Sequence, residues 1–276
     1  MKRLLSTVVA VLVFSVGLPA FILGQTKSDL SSEIAPLGRI RIGTIGIEVV
    51  GDVAQPVGKF IADRLGLAFE PVVYVTPEAW AGSFGKGEWD VAIGPRAVAP
   101  EGMSDVVSDL WLVDLIYLAA PGHEFADSTQ IDRPGVKIGA IKGSPSDKYL
   151  TRTLKSAQLV RIALSPNIVA DTVEMLRNGT TDLFGADSGV VYAAAKGLPG
   201  AKILPGVFTT IQQAMLLPKG RSAAAQAKFA ELAVEAKRTG VVQDAIERRG
   251  LKGVRVATRM RLDSPSRPRS SSCRNC

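Results

Sequence analysis

"KIGAIKGSPSDKYL", residues 137–150, is a short apolar run, a glycine, and then Ser144-Pro145-Ser146-Asp147 opening a polar segment. It reads as a strand that turns at Gly143 into a helix. Ser144 is a good N-cap residue, and Pro145 has the fixed φ that suits a first helical position. A strand that enters a helix in this way leaves first-turn N–H groups unpaired at the edge of the sheet. With the positive end of the macrodipole, such a start attracts anions. Two features oppose that use. Pro145 has no N–H, and Asp147, three residues after the cap, can fold back in a capping box. Ser144 and Ser146 therefore have two readings, as hydroxyl contacts to a bound carboxylate-type anion or as parts of a plain capped helix.

The same strand-to-helix alternation runs outward in both directions. Upstream, "RIRIGTI" (39–45) is a strand, and Asp52 is the expected cap of a helix with an apolar face of Val53, Val57, Phe60, Ile61 and Leu65. "AFEPVVYV" (68–75) is a strand, Thr76-Pro77-Glu78 starts a helix that runs to about Gly87, and "WDVAIG" (89–94) is a strand. From residue 136 the pattern recurs: strand, helix over 144–155, strand "LVRIAL", helix from Ser165-Pro166 to Gly179, strand "DLFGA". Both units close alike, with Gly87-Glu88-Trp89-Asp90 before one final strand and Gly179-Thr180-Thr181-Asp182 before the other. Strands alternating with helices imply parallel sheets covered on both faces, and two such units imply an α/β chain of two lobes. One larger doubly wound sheet is the alternative. "GVFTTIQQAMLLP" (206–218) adds a late strand, followed by helices over about 221–238 and 241–249. If those helices pack on the first unit, the chain crosses between lobes twice and a cleft lies between them.

Composition narrows the function classes. The 276 residues are 46% hydrophobic, enough for a sizeable core. The net charge of +7 is concentrated at the ends: Lys2 and Arg3 lead the chain, and five arginines against one aspartate follow Thr258, so the body is close to neutral. That argues against nucleic-acid binding, which needs a basic face. "MKRLLSTVVAVLVFSVGLPAFILGQ" has the basic start, apolar run and small residues (Ala20, Gly24) of a signal peptide, expected over 1–24, with cleavage after Ala20 or Gly24; an uncleaved membrane anchor is the alternative. The only cysteines, Cys273 and Cys276, end a Ser/Arg/Pro-rich stretch expected to be a disordered basic tail over 258–276. A single histidine, His123, argues against a histidine-built metal site or triad, and no cofactor is expected.

The order and wording of these pieces resemble extracellular solute-binding proteins of family 3, the periplasmic amino-acid binders of ABC importers. The resemblance runs from about Arg39 to Gly250 and rests on "RIRIGTI", "VGKFIADRLGL", "GEWDVAIG", "VKIGAIKGSPSDKYL", "VEMLRNGTTDLFGADSGVVYAAA", "AMLLPKG" and "AKRTGVVQDAIERRG". It implies a two-lobe, type II binding-protein fold with two hinge strands, lobe 1 over 38–113 and 212–257 and lobe 2 over 115–207. It implies a monomer that closes on a small-molecule ligand and hands it to the membrane subunits of an ABC importer. It also carries Asp187 over as the partner of a ligand ammonium group, and Gly143-Ser144 as the helix start that meets a carboxylate.

The departures from the family are informative. The place of the arginine that usually clamps the ligand carboxylate falls on Gly102, and that of its threonine on Ala99. The loop "IGIEVVGD" lacks the usual stacking aromatic, and Ile45 stands where binders of basic amino acids often have an aspartate. Arg96 is the arginine nearest the lost clamp, read as a shifted carboxylate fork or as a surface or hinge ion pair. Asp187 is a ligand contact or the N-cap of the segment after it. Trp111, just before the expected hinge, is a stacking surface or core, and Trp80 and Tyr117 are weighed likewise. Glu48 faces the cleft or solvent. The leading expectation is a non-enzymatic periplasmic binding protein for a small polar, carboxylate-bearing or amino-acid-like solute. The alternatives are an accessory or sensor module and a dehydratase-like enzyme built on the same fold.

Overall fold

The computed structural model describes residues 27–46 and 48–258. The expected leader and all of the expected tail beyond Thr258 lie outside them. The chain opens with α1 (Lys27–Ile34), then β1 (Arg39–Ile45), α2 (Glu48–Leu65), β2 (Ala68–Tyr74), α3 (Pro77–Ala81) and β3 (Val91–Pro95). A long strand, β4 (Ser104–Ala119), leads to the second unit: β5 (Lys137–Ile141), α4 (Pro145–Thr153), β6 (Gln158–Ile162), α5 (Ile168–Arg177), β7 (Leu183–Asp187) and α6 (Ser188–Gly197). The two-residue β8 (Lys202–Ile203) follows, and β9 (Thr209–Pro218), α7 (Ala223–Arg238), α8 (Val241–Arg248) and β10 (Val254–Val256) close the fold.

In each unit the three strands of the repeat are parallel: β1 lies between β2 and β3, and β5 between β6 and β7. The strands that join the units run antiparallel to them. From Ser104 to Leu115, β4 pairs with β9, and from Leu115 to Ala119 it pairs with β7. Hydrogen bonding is thus continuous across both units, yet the apolar cores are separate. Ile42, Val57, Ile61, Val113, Leu115 and Phe229 belong to one, and Ile116, Leu118, Phe184, Val191 and Ala194 to another. The division falls between Leu115 and Ile116 on β4. α7 and α8 pack into the first core through Phe229, Leu232 and Ile246, so the chain crosses from lobe to lobe twice.

The repeated Gly-x-x-Asp wording has a structural cause. Asp90 accepts the Arg41 backbone N–H at 2.9 Å and pairs with its guanidinium at 2.8 Å, while Arg41 Nη1 donates to the Gly87 carbonyl at 2.8 Å. In the second unit Asp182 accepts the Lys137 N–H at 2.8 Å, and Lys137 Nζ donates to the Gly179 carbonyl at 2.8 Å. Each device ties the first strand of its unit to the turn before the third, setting the register of the parallel pair.

Three helix boundaries differ from the sequence reading, α5 beginning at Ile168 after Asn167 rather than at Ser165-Pro166. α2 begins at Glu48, four residues before the expected cap, and Asp52 inside it pairs with Arg249 at the end of α8. α3 ends at Ala81, because Gly82 caps it and Ser83 turns the chain, accepting a hydrogen bond from Trp89 Nε1 at 2.8 Å.

Candidate functional site

The interlobe cavity lies where the parallel strands of both units end. The registers Ile42–Val91 and Ile138–Leu183 place Ile45 and Ile141 at equivalent positions of the two repeats, and likewise Pro95 and Asp187; all four line the cavity. Ligands of open α/β sheets bind at this carboxyl edge. Val113, Leu115, Ile211 and Gln213, from the two crossing strands, form its floor. Its free volume is about 30 Å³, against the roughly 10–15 Å³ that one water needs. With the lobes in this arrangement it holds no more than a compact group, so a solute enters only when the lobes move apart at the crossing strands.

Lobe 2 supplies most of the polar groups. Ser144 is the N-cap of α4, its Oγ accepting the Asp147 N–H at 3.2 Å and sharing a 2.8 Å hydrogen bond with Ser146 Oγ. Asp147 turns back, as a capping residue does, accepting the Gly143 N–H at 2.9 Å, and Arg161 Nε binds its other oxygen at 2.8 Å. Of the donors expected to face an anion, Asp147 N–H is consumed by the cap and Pro145 has none. The Ser146 N–H remains in the first turn. Ser144 and Ser146 do line the cavity, both buried, together with Pro145.

Asp187 also lines the cavity while its Oδ1 accepts the Val190 N–H at 3.0 Å as the N-cap of α6, so the cap does not take it away from the cavity wall. It is the one charged residue among the described lining residues. The fourth polar group, Gln213, escaped the sequence reading. It is 1% exposed, lines the floor, and its Oε1 is buried without a hydrogen-bond partner. The signal was present: Ile211, Gln213 and Met215 share one face of β9, so the glutamine occupies a position where alternation calls for an apolar side chain. A buried amide oxygen without a partner costs stability and is an acceptor left over at the cavity floor.

The remaining expected residues lie elsewhere. Arg96 is exposed and does not line the cavity; the chain turns outward after Pro95, and the Arg96 N–H bonds the Gln212 carbonyl at 3.0 Å. Trp111 shares a strand face with Val113 and Leu115 but sits two residues deeper, fully buried in the first core beneath the floor. Trp80 packs under Gly94, and Tyr117 stacks on Phe208 with centroids 4.2 Å apart, burial pushing its phenol well above the usual tyrosine range. His123 approaches Asp182 at 3.6 Å, at the end of β7 opposite Asp187. The Glu48 side chain lies outside the described residues. Two lobe-to-lobe contacts flank the cavity: Lys148 Nζ donates to the Ala97 carbonyl at 2.9 Å, and the Glu78 carboxylate covers Gly143. The φ of +72° favours glycine at 143, and the Glu78 carboxylate lies against the space a Cβ would take.

No family model matches the sequence, and no curated protein matches it. Solved structures do. An ancestral amino-acid-binding protein, a precursor of cyclohexadienyl dehydratase, superposes with a TM-score of 0.64 at 18% identity, over 79% of this chain and 98% of its own. The solute receptor for L-cysteine of Neisseria gonorrhoeae gives 0.63 at 20%, over 79% and 92%. An amino-acid ABC transporter substrate-binding protein from Streptococcus pneumoniae, bound to L-arginine, gives 0.62 at 17%, over 79% and 96%. At these identities the likeness establishes architecture: the chain has the two-lobed fold of solute-binding proteins.

Proposed function

We propose that the chain is a solute-binding protein that closes its lobes on a small molecule and delivers it to an ABC importer, after export through its N-terminal apolar segment. The observation that carries the reading is the interlobe cavity at the strand ends, apolar over most of its surface and furnished with Ser144, Ser146, Asp187 and Gln213. Neighbours of the same architecture bind L-cysteine or L-arginine, and one serves an ABC transporter, which supports the role.

The charge pattern selects within the solute class. Among the described residues, the lining offers a carboxylate and an amide acceptor, no cationic side chain, and a helix start whose donors are mostly spent on its own cap. An ammonium or another strong donor fits this set; an amino acid fits through its ammonium end, its carboxylate meeting only the two hydroxyls and the Ser146 N–H. The crossing strands at Leu115 and Thr209 are the hinge, and closure is driven by contacts that exist only with the lobes together. Mass spectrometry of solute released from purified protein identifies the ligand. Calorimetry should then show that Asp187→Asn weakens it by tenfold or more, since removing one partner of a buried charge pair leaves the other unpaired. A released solute without a donor group, or unchanged affinity in the variant, would overturn the assignment.

A further inference from the structure

A second opening adjoins the cavity, and it is larger. Its free volume is about 440 Å³. Val73 and Val75 form its wall on lobe 1, and Leu164, Ile168 and Val169 its wall on lobe 2. It meets the cavity on three separate elements: Gly46 follows the cavity residue Ile45, Thr76 precedes Pro77, and Gly189 lies two residues beyond Asp187. Its two hydroxyl side chains are spoken for. Thr76 Oγ1 accepts the Ala79 N–H at 3.0 Å, and Ser165 Oγ bonds Asp171 and accepts the Asn167 N–H at 3.0 Å. What remains for an occupant is mostly apolar. Val73 is 47% exposed, and Val75, at 77%, is the most exposed large apolar side chain among the described residues. Leu164 packs against apolar clusters of both lobes, so this groove is an opening between them rather than a surface wrinkle.

We propose that the solute is amphiphilic: a compact donor head seated at Asp187 and Gln213, and an alkyl or ring body that leaves the cavity past Ile45 and lies in the groove between Val75 and Val169. The proposal rests on the reading of the cavity as the head site. It adds a tail subsite whose walls come from both lobes, so that tail burial itself favours the closed arrangement. The head meets the polar residues where they are gathered, and the body covers apolar surface that is otherwise wet.

The test is calorimetry of the full chain with a series of primary amines, from n-propylamine to n-hexylamine and on to phenethylamine, with hexanoate as the control. Affinity should climb by about fourfold for each added methylene along the alkyl series, and hexanoate should not bind. In Val75→Ser, at an exposed position, and Val169→Ser, at a half-buried one against the lobe 2 core, with thermal melting confirming that both variants fold, the gain per methylene should fall to about twofold or less. Propylamine binding with no gain along the series would overturn the tail subsite and leave the head site standing. Binding by none of the amines would overturn both. A gain that survives both valine variants would place the tail elsewhere. Light scattering on the same samples addresses the other occupant: a dimer lost in Val75→Ser assigns the groove to a second copy of the chain and also overturns the proposal.

Discussion

Gln213→Met separates a residue kept for binding from one kept for folding. Methionine matches glutamine in length and lack of branching and brings no polar group, so the floor of the cavity keeps its shape. The glutamine is 1% exposed and its Oε1 has no partner, a burial that costs about 1–3 kcal/mol in proteins generally. The cavity beside it, about 30 Å³, can admit a water that offsets part of this cost. The unliganded variant should therefore be more stable than the native chain by about 1 kcal/mol, a rise of roughly 2–4 °C in melting temperature for a protein of this size. Affinity for the released solute should move the other way, weakening about tenfold for a lost hydrogen bond from a strong donor. Differential scanning calorimetry and titration calorimetry on the same preparation read both quantities. A variant destabilised by more than about 1 kcal/mol would show that the amide is bonded in the fold, and unchanged affinity would show that it does not meet the solute; either result refutes the argument.

Ser144→Ala separates cap from solute contact at the start of α4. Its Oγ caps Asp147 N–H at a long 3.2 Å, so the loss of stability should be about 0.5–1 kcal/mol; a fall in affinity of several fold beyond that would mark it as a solute contact, and no change would leave it a cap. The two repeat devices should respond unequally to the same chemical change. Asp90→Asn breaks a pair in which Asp90 is 1% exposed and bonded to both backbone and guanidinium of Arg41, costing about 3 kcal/mol, whereas Asp182→Asn disturbs chiefly a backbone N–H bond and should cost about 1 kcal/mol; urea unfolding that ranks them in reverse contradicts the description. Glu33 accepts both the N–H and the hydroxyl of Ser222 at 2.7 Å, and these bonds hold its carboxyl below the usual value of 4.5. Because the folded value is the lower one, the stability it contributes is complete above the ordinary value and is lost as the pH falls through the lowered one. Melting curves from about pH 6 to about pH 3 should therefore fall less steeply in Glu33→Gln than in the native chain.

Much of the architecture follows from local chemistry. The strand-to-helix order, the Ser144 and Thr76 caps, and the twin Gly-x-x-Asp endings are set within a few residues, by periodicity and by side chains that bond their own backbone, so they can be read one window at a time. That Ser144, Ser146 and Asp187 would line the cleft is legible for the same reason: each stands where a parallel strand meets a helix, at the sheet edge that here faces the other lobe. The tertiary structure alone decided the rest. Whether Arg96 points inward depends on how the chain leaves β3, and whether Trp111 faces cavity or core depends on depth along a sixteen-residue strand, which alternation does not encode. Gln213 acquires its meaning only when β9, more than a hundred residues from β3, is hydrogen-bonded beside it. The groove exists only because the segments about Val75 and Val169, in different lobes, come to face each other. Contacts between distant segments are fixed by the joint packing of whole lobes, and no short stretch of sequence carries that information.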